Sequence, residues 1–345
     1  MRITIALLFG LFTFFYLYNY QADLLAMAQH VLSGGKTTYD AFIGALLITL
    51  TLYLLQVVVM GFLKLKSRSH ALTYFPSLLV LTILTDVSPE MDKGFSFGAW
   101  LWVFPLLIAV WGVVVYVAKE VLPYEPENAS HGFFSRMAWI NVLTMSVMFF
   151  LVGTFTNSDE VFHYRMKVEK CLTERKYDEA LRVGYKSQAT DSSLTMLRIY
   201  ALAATNVLPE RLFEYPLVGG ADAMKPNGTT VKMLLHTDTR LRYVRKSARD
   251  YKLCALLLNR NLDVFAKEVV RLYGTQNLPK HYSEALALYK HLRANPVIVY
   301  QDNVLDTNYK DYQEMKKKFN NPIECRNNLR DSYGKTYWYY YDYCR

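Results

Sequence analysis

Three sets of residues in this chain have types and spacings that suggest chemistry. The first is Asp23 with His30, in the polar stretch 20–40 between two apolar runs. Seven apart, they share a face if the stretch is helical, and a carboxylate beside an imidazole can serve as a general base. They are the candidate catalytic pair; the plainer reading is an interfacial helix with solvated charges. The second is Arg242, Arg245, Lys246 and Arg249, at i, i+3, i+4 and i+7, a basic stripe on one helix face. Anionic lipid headgroups, acidic glycans or an acidic protein surface would suit it, against a solvated face partly paired with Asp238 and Asp250. The third is Tyr337, Trp338 and Tyr340 in the aromatic tail 333–343. Such rings line a sugar or peptide groove, rest on a bilayer, or cap the end of a helical stack with their hydroxyls in water.

Other motifs fail on spacing. Gly34-Gly35-Lys36-Thr37 lacks the glycine a phosphate loop needs five residues before the Gly-Lys, where His30 stands. There is no Gly-x-Ser-x-Gly, no His-Glu-x-x-His and no Cys/His ligand spacing, so no cofactor or metal is expected and an enzyme is not favoured.

The elements that must position these residues fall into two unlike halves. Residues 1–156 hold eight basic and eight acidic side chains in short gaps between long apolar runs; the entire net charge of +9 belongs to 157–345. Apolar runs at 3–20, 41–63, 71–85, 97–118 and 137–156 approach or reach the length of a membrane-crossing helix, the third being the shortest and containing Pro76. Trp100, Trp102, Trp111 and Trp139 sit near run ends, as interfacial aromatics do. Arg2, Lys64, Lys66 and Arg68 mark the cytoplasmic side, and Asp86, Glu90 and Asp92 against a single Lys93 mark the other. Glu120, Glu125 and Glu127 in the loop 119–136 run against this pattern, but acidic residues count little in the rule. Five crossings then place the N-terminus in the cytoplasm and the C-terminal half outside. A cleavage site at Ala26-Met27-Ala28 is the alternative for the first run, though that run is long for a signal core.

The exported half, 157–345, reads as helical throughout. Residues 171–178 and 256–263 each give an apolar helix end, a polar turn holding Arg, then Asp near the start of the next helix. Tyr282-Ser283-Glu284-Ala285-Leu286 repeats the Tyr-x-Glu-Ala-Leu of Tyr177–Leu181, 105 residues earlier. These features resemble tetratricopeptide-type helical hairpins, without that family's Trp and Gly-Tyr positions. The stretch 208–228, rich in Pro and Gly, is a long loop with either a binding role or none. Cys171, Cys254, Cys325 and Cys344 all lie in this half; Cys171 and Cys254 read as buried thiols, Cys325 and Cys344 as the likelier disulfide.

Three segments together resemble an uncharacterised family of Bacteroidota membrane proteins, a domain of unknown function: Gln21-Ala22-Asp23 through His30-Val31-Leu32-Ser33-Gly34-Gly35, His281-Tyr282-Ser283-Glu284-Ala285-Leu286, and Tyr333-Gly334-Lys335-Thr336-Tyr337-Trp338-Tyr339-Tyr340-Tyr341. The resemblance implies an inner-membrane protein of a diderm bacterium and supplies no activity. The expectation is an all-α chain: a transmembrane bundle (1–156) carrying a periplasmic tetratricopeptide-like domain (157–345) that presents its surface to an envelope protein. Membrane lipid and an anionic lipid or glycan are further expected partners; nucleic acid is not. The alternative is a polytopic enzyme or transporter acting on lipid-linked or glycan substrates through Asp23 and His30.

Overall fold

A computed structural model describes residues 2–65, 67–88, 97–120, 135–225, 235 and 237–344. Every regular element among them is a helix. The chain divides into two compact units, Met1–Asp159 and Glu160–Arg345.

The first unit contains α1 (Arg2–Phe15, continued by a π-turn Tyr16–Tyr20), α2 (Ala22–Ser33), α3 (Ala41–Leu63), α4 (Phe75–Thr85), α5 (Trp100–Glu120) and α6 (Arg136–Phe155). Among the described residues, four stretches are long and apolar enough to cross a membrane: Arg2–Tyr20, Ala41–Leu63, Trp100–Glu120 and Arg136–Phe155. Asp40 starts α3 by accepting from the Ile43 amide at 2.8 Å, and Ser135 starts α6 by accepting from Ala138 at 3.2 Å. These helices are apolar all round, which a helix tolerates only in a large core or in lipid. Yet only Ala45, Leu52 and Gln56 of α3 are buried, and only Val115 of α5.

The run expected as one helix over 71–85 is built differently. A 3-10 passage, Ser67–Tyr74, leads into α4, whose first turn holds Pro76. Proline lacks the amide hydrogen an interior helical position needs but suits the first turn, so the α-helix begins there. Alone, α4 is about 16 Å long. The 3-10 passage before it is kinked at Ser69, where the backbone leaves helical angles. Asn141 fixes one end: its side-chain oxygen accepts from the Ala71 amide and its nitrogen donates to the Ser67 carbonyl, at 2.8 and 2.9 Å. Asn157 fixes the other by donating to the Val87 carbonyl. The segment is thus tied at Asn141, inside α6, and at Asn157, just beyond that helix's end. Against α3 it is held by Ser77 donating to the Leu52 carbonyl at 2.8 Å and by Gln56 donating to Thr73 at 2.9 Å. The charged loop residues Lys66, Glu90, Asp92, Lys93, Glu125 and Glu127 used to orient the chain lie outside the described residues.

The second unit contains α7 (Glu160–Thr173), α8 (Tyr177–Arg182), α9 (Ser192–Ala204), α10 (Leu208–Arg211), α11 (Thr237–Lys246), α12 (Ala248–Leu258), α13 (Leu262–Tyr273), α14 (Lys280–Leu292), α15 (Asn303–Lys318), α16 (Pro322–Tyr333) and α17 (Tyr337–Tyr343). From Ser193 on, every residue of α9 is buried, and so is every residue of α14 from His281 to Tyr289. Around these central helices the others are amphipathic. In α13, Leu262, Phe265, Ala266 and Val269 face inward at helical spacing, while Glu268 on the outer face meets Lys252 and Arg271 at 2.8 and 2.6 Å. Burying each large apolar side chain contributes about 1.5–3 kcal/mol.

One turn recurs. At Arg175, Asn206 and Arg260 the chain enters the left-handed region (φ 60, 60 and 56°) and reverses between helices. Each turn closes with the same two backbone bonds. Lys176, Val207 and Asn261 donate back five residues, to Cys171, Leu202 and Leu256; Arg175, Asn206 and Arg260 donate back three, to Leu172, Ala203 and Leu257. This is the Schellman ending, which satisfies the orphan carbonyls of a helix terminus. It joins α7 to α8, α9 to α10 and α12 to α13, hairpins of unequal length. Ala180 and Ala285, the small residues of the repeated Tyr-x-Glu-Ala-Leu, are both fully buried.

Candidate functional site

The second unit holds a groove of about 850 Å³ between the 185–218 segment and the pair α16–α17. One face of α16 forms a wall: Pro322, Ile323, Arg326, Asn327 and Arg330 recur at the i, i+4 spacing of a single helix face. The opposite wall is Pro216, Leu217 and Val218, with Gln188 and Thr190 beyond. Ile323 is 72% exposed and Val218 46%, so both walls offer aliphatic surface. The floor is aromatic, from Phe213, Tyr215, Tyr339 and Tyr340.

The walls are tied to the core. Arg198, buried in α9, donates to the carbonyls of Val183 and Gly184 at 3.3 Å, and its guanidinium lies 5.4 Å from the Tyr215 ring centre. Burial lowers the pKa of this guanidinium. Gly184 (φ 59°) is left-handed, and a Cβ there would come within 2.7 Å of the Tyr164 ring; only glycine meets both demands. The turn delivers Tyr185 to the rim, where its hydroxyl accepts from the Lys335 ammonium at 2.6 Å. That hydrogen bond raises the lysine pKa, and the ammonium sits 5.0 Å from the ring centre.

The charge is one-sided. Arg326, Arg330 and Lys335 line the groove, against Glu214 as the lining carboxylate. Glu214 is already engaged by Arg211 at 2.8 Å. Arg326 forms no ion pair among the described residues, and Arg330 has only the exposed Asp331 at 3.9 Å, a contact worth little in water. The Cys344 thiol at one end is pushed up by burial, which keeps it protonated and a poor nucleophile.

Of the residues picked out from sequence, Tyr340 contributes to the groove floor; the others lie elsewhere or inside. Asp23 and His30 both fall on α2, but two turns apart, about 10 Å along the axis; the His30 ring instead lies under Gly35, 3.2 Å from where its Cβ would be. The basic stripe is divided, because the helix breaks at Ser247: Arg242, Arg245 and Lys246 end α11 and Arg249 begins α12. Lys246 donates to the Ala204 carbonyl at 2.7 Å, satisfying the C-terminus of α9, and Asp250 accepts from Tyr273 and Tyr282 rather than from the stripe. Tyr337, Trp338 and Tyr340 are 0, 2 and 8% exposed. Their polar atoms donate to the carbonyls of Leu257, Glu284 and Leu258 at 3.1, 2.8 and 3.0 Å. The aromatic tail thus does cap the helices, with its hydroxyls on backbone rather than in water.

Cys325 and Cys344, expected to bridge, are free thiols, as are Cys171 and Cys254. The Cys325 sulfur turns to the Lys316 carbonyl and the Tyr343 hydroxyl, each at 3.5 Å. The stretch 208–228 is anchored through buried Leu212, Phe213 and Tyr215, and its 213–218 portion forms a groove wall; residues 226–228 lie outside the described residues. Among the described residues no three His, Cys, Asp or Glu side chains converge as a metal site. Sequence reasoning missed Arg326 and Arg330; their i, i+4 spacing was visible, but not what faced them.

Fold and site define a class: an all-helical chain of two units, one rich in long apolar helices, the other bearing a cationic, aliphatic-walled groove. Residues 222–344 match a family of unknown function, DUF6057, a stretch covering α11–α17 and the α16 wall. No curated protein and no solved structure matches the chain.

Proposed function

We propose that this chain is a membrane-anchored interaction protein whose second unit grips an acidic segment of a cell-envelope protein. The groove carries this reading, with three cations, aliphatic walls and, among the described residues, one lining carboxylate that is already paired. An extended acidic chain with apolar side chains complements that surface; a sugar would call for more amide and carboxylate groups than Gln188, Asn327 and Glu214 supply. Anchoring is supported by the apolar helices of the first unit, whose outward faces expose Trp102 at 83%, Phe62 at 84% and Phe150 at 70%. In the bundle, the 3-10 passage with α4 acts as a fifth crossing, a reading supported by its ties to Asn141 at one end and Asn157 at the other. The N-terminus then faces the cytoplasm and the second unit the periplasm of a diderm inner membrane. The second unit is a degenerate stack of tetratricopeptide-like hairpins, supported by the recurring Schellman turns. Affinity purification of the tagged chain from native membranes after cross-linking tests the proposal. A specific partner lost on R326E/R330E is expected; a partner retained by that variant contradicts the groove as the gripping surface.

A further inference from the structure

A second cavity, of about 520 Å³, lies in the first unit between α1, α3 and the 3-10 passage. It is graded from polar to apolar. At one end are Arg2, Gln56 and His70, with Arg2 close enough for its charge to act on His70. From there the cavity runs along α1 to Gly10, eight residues or about 12 Å on, between leucines of both helices. Gly10 keeps it open: a Cβ at that position would meet no atom within 4 Å.

The charge lining the polar end comes from Arg2 among the described residues. His70 is 97% buried, yet its imidazole makes no hydrogen bond to any described residue. Arg2 is exposed and forms no ion pair among the described residues. Among the described residues that line the cavity none is acidic. A ring nitrogen that finds no protein partner is satisfied by a polar group entering the cavity, and the Arg2 guanidinium beside it favours one that carries negative charge.

We infer that this cavity binds an anionic glycerophospholipid, its phosphate held by the Arg2 guanidinium and the His70 N–H and an acyl chain laid along α1 past Gly10. The polarity gradient matches a lipid standing in the bilayer, which a free phosphate or a sterol would not fill. Arg2 is the charge-reading group; Gly10 sets the room for the chain.

This inference rests on the membrane reading above, and its test separates the two. The full chain is purified in neutral detergent, delipidated and titrated with phosphatidylglycerol or phosphatidylcholine of the same acyl chains, with retention read by native mass spectrometry. Phosphatidylglycerol is expected to be preferred. R2Q should cut that preference about fivefold, the effect of one basic side chain at a lipid surface, and R2K should restore it. G10L, which fills open space, should weaken both lipids alike. Equal retention of the two lipids, an R2Q variant that keeps the preference, a G10L variant that binds as the parent does, or equal competition by inorganic phosphate overturns the inference. Release of the chain from membranes by alkaline carbonate would instead sink the membrane reading itself.

Discussion

The two units use apolar side chains in opposite ways. In α5, Val115 is buried while Leu101, Trp102, Leu106 and Val113 stand exposed. In α9 the helix disappears into the interior from Ser193 onward, taking Arg198 with it. The first unit interlocks through neutral polar groups, such as Asn141 and Ser77 on backbone and Gln56 on Thr73. The second buries ionisable groups: Glu284, 3% exposed, accepts from the Tyr337 amide at 2.8 Å and stands 3.0 Å from His281 Nδ1. A helix whose surroundings are apolar needs no core to satisfy it, whereas one in water must find one. The proposed membrane anchoring accounts for the difference between the units as a difference of solvent.

The comparison breaks first at Glu284. Glu284→Ala strands the Tyr337 amide and His281 in the interior and should destabilise the second unit by about 3–5 kcal/mol. Pulse proteolysis of the full chain in a urea series should show that unit cleaved at lower urea, with the first unit unchanged. Next comes a charge on each surface. Leu106→Arg, on an exposed face of α5, should cost about 2.5–3.5 kcal/mol of membrane insertion. Ile323→Arg, as exposed in the second unit, should change stability by less than about 0.5 kcal/mol. Membrane fractionation and thermal unfolding in detergent read the pair; equal effects would erase the distinction of solvent.

Gly184→Ala, forced into a left-handed turn against Tyr164, should cost about 1–3 kcal/mol and shift Tyr185 off Lys335; hydrogen exchange over 183–188 reports it. The smallest effect is alkaline. Burial raises the Cys254 thiol pKa in the folded chain. Above the ordinary thiol value of about 8.5 the unfolded state then loses a proton that the native state keeps, so stability falls as pH rises. Cys254→Ala should flatten that fall, as measured by urea midpoints between pH 8 and 10, an interval about the thiol's ordinary range.

Much of the helical framework was legible. The apolar run 41–63 is helix α3 to the residue, because an uninterrupted hydrophobic stretch bounded by Asp40 and Lys64 leaves little choice of ends. Pro76 marked the third run as irregular, but the polar residues Ser67, Arg68, Ser69 and His70 read as loop, and only the Asn141 bonds show them inside the bundle. The aromatic tail was legible as a cap; its hydroxyl partners, carbonyls about 80 residues away in sequence, were not. The groove was illegible for the same reason. Its walls come from segments more than a hundred residues apart, and no local pattern records that Tyr185 meets Lys335.

The central claim is most directly tested by a photo-cross-linking amino acid placed at Ile323 in the groove wall of the full chain, expressed in native membranes. The account predicts a single envelope-protein adduct through an acidic segment, abolished when Arg326 and Arg330 are both changed to Glu. No adduct from position 323, or one indifferent to that charge reversal, would contradict it.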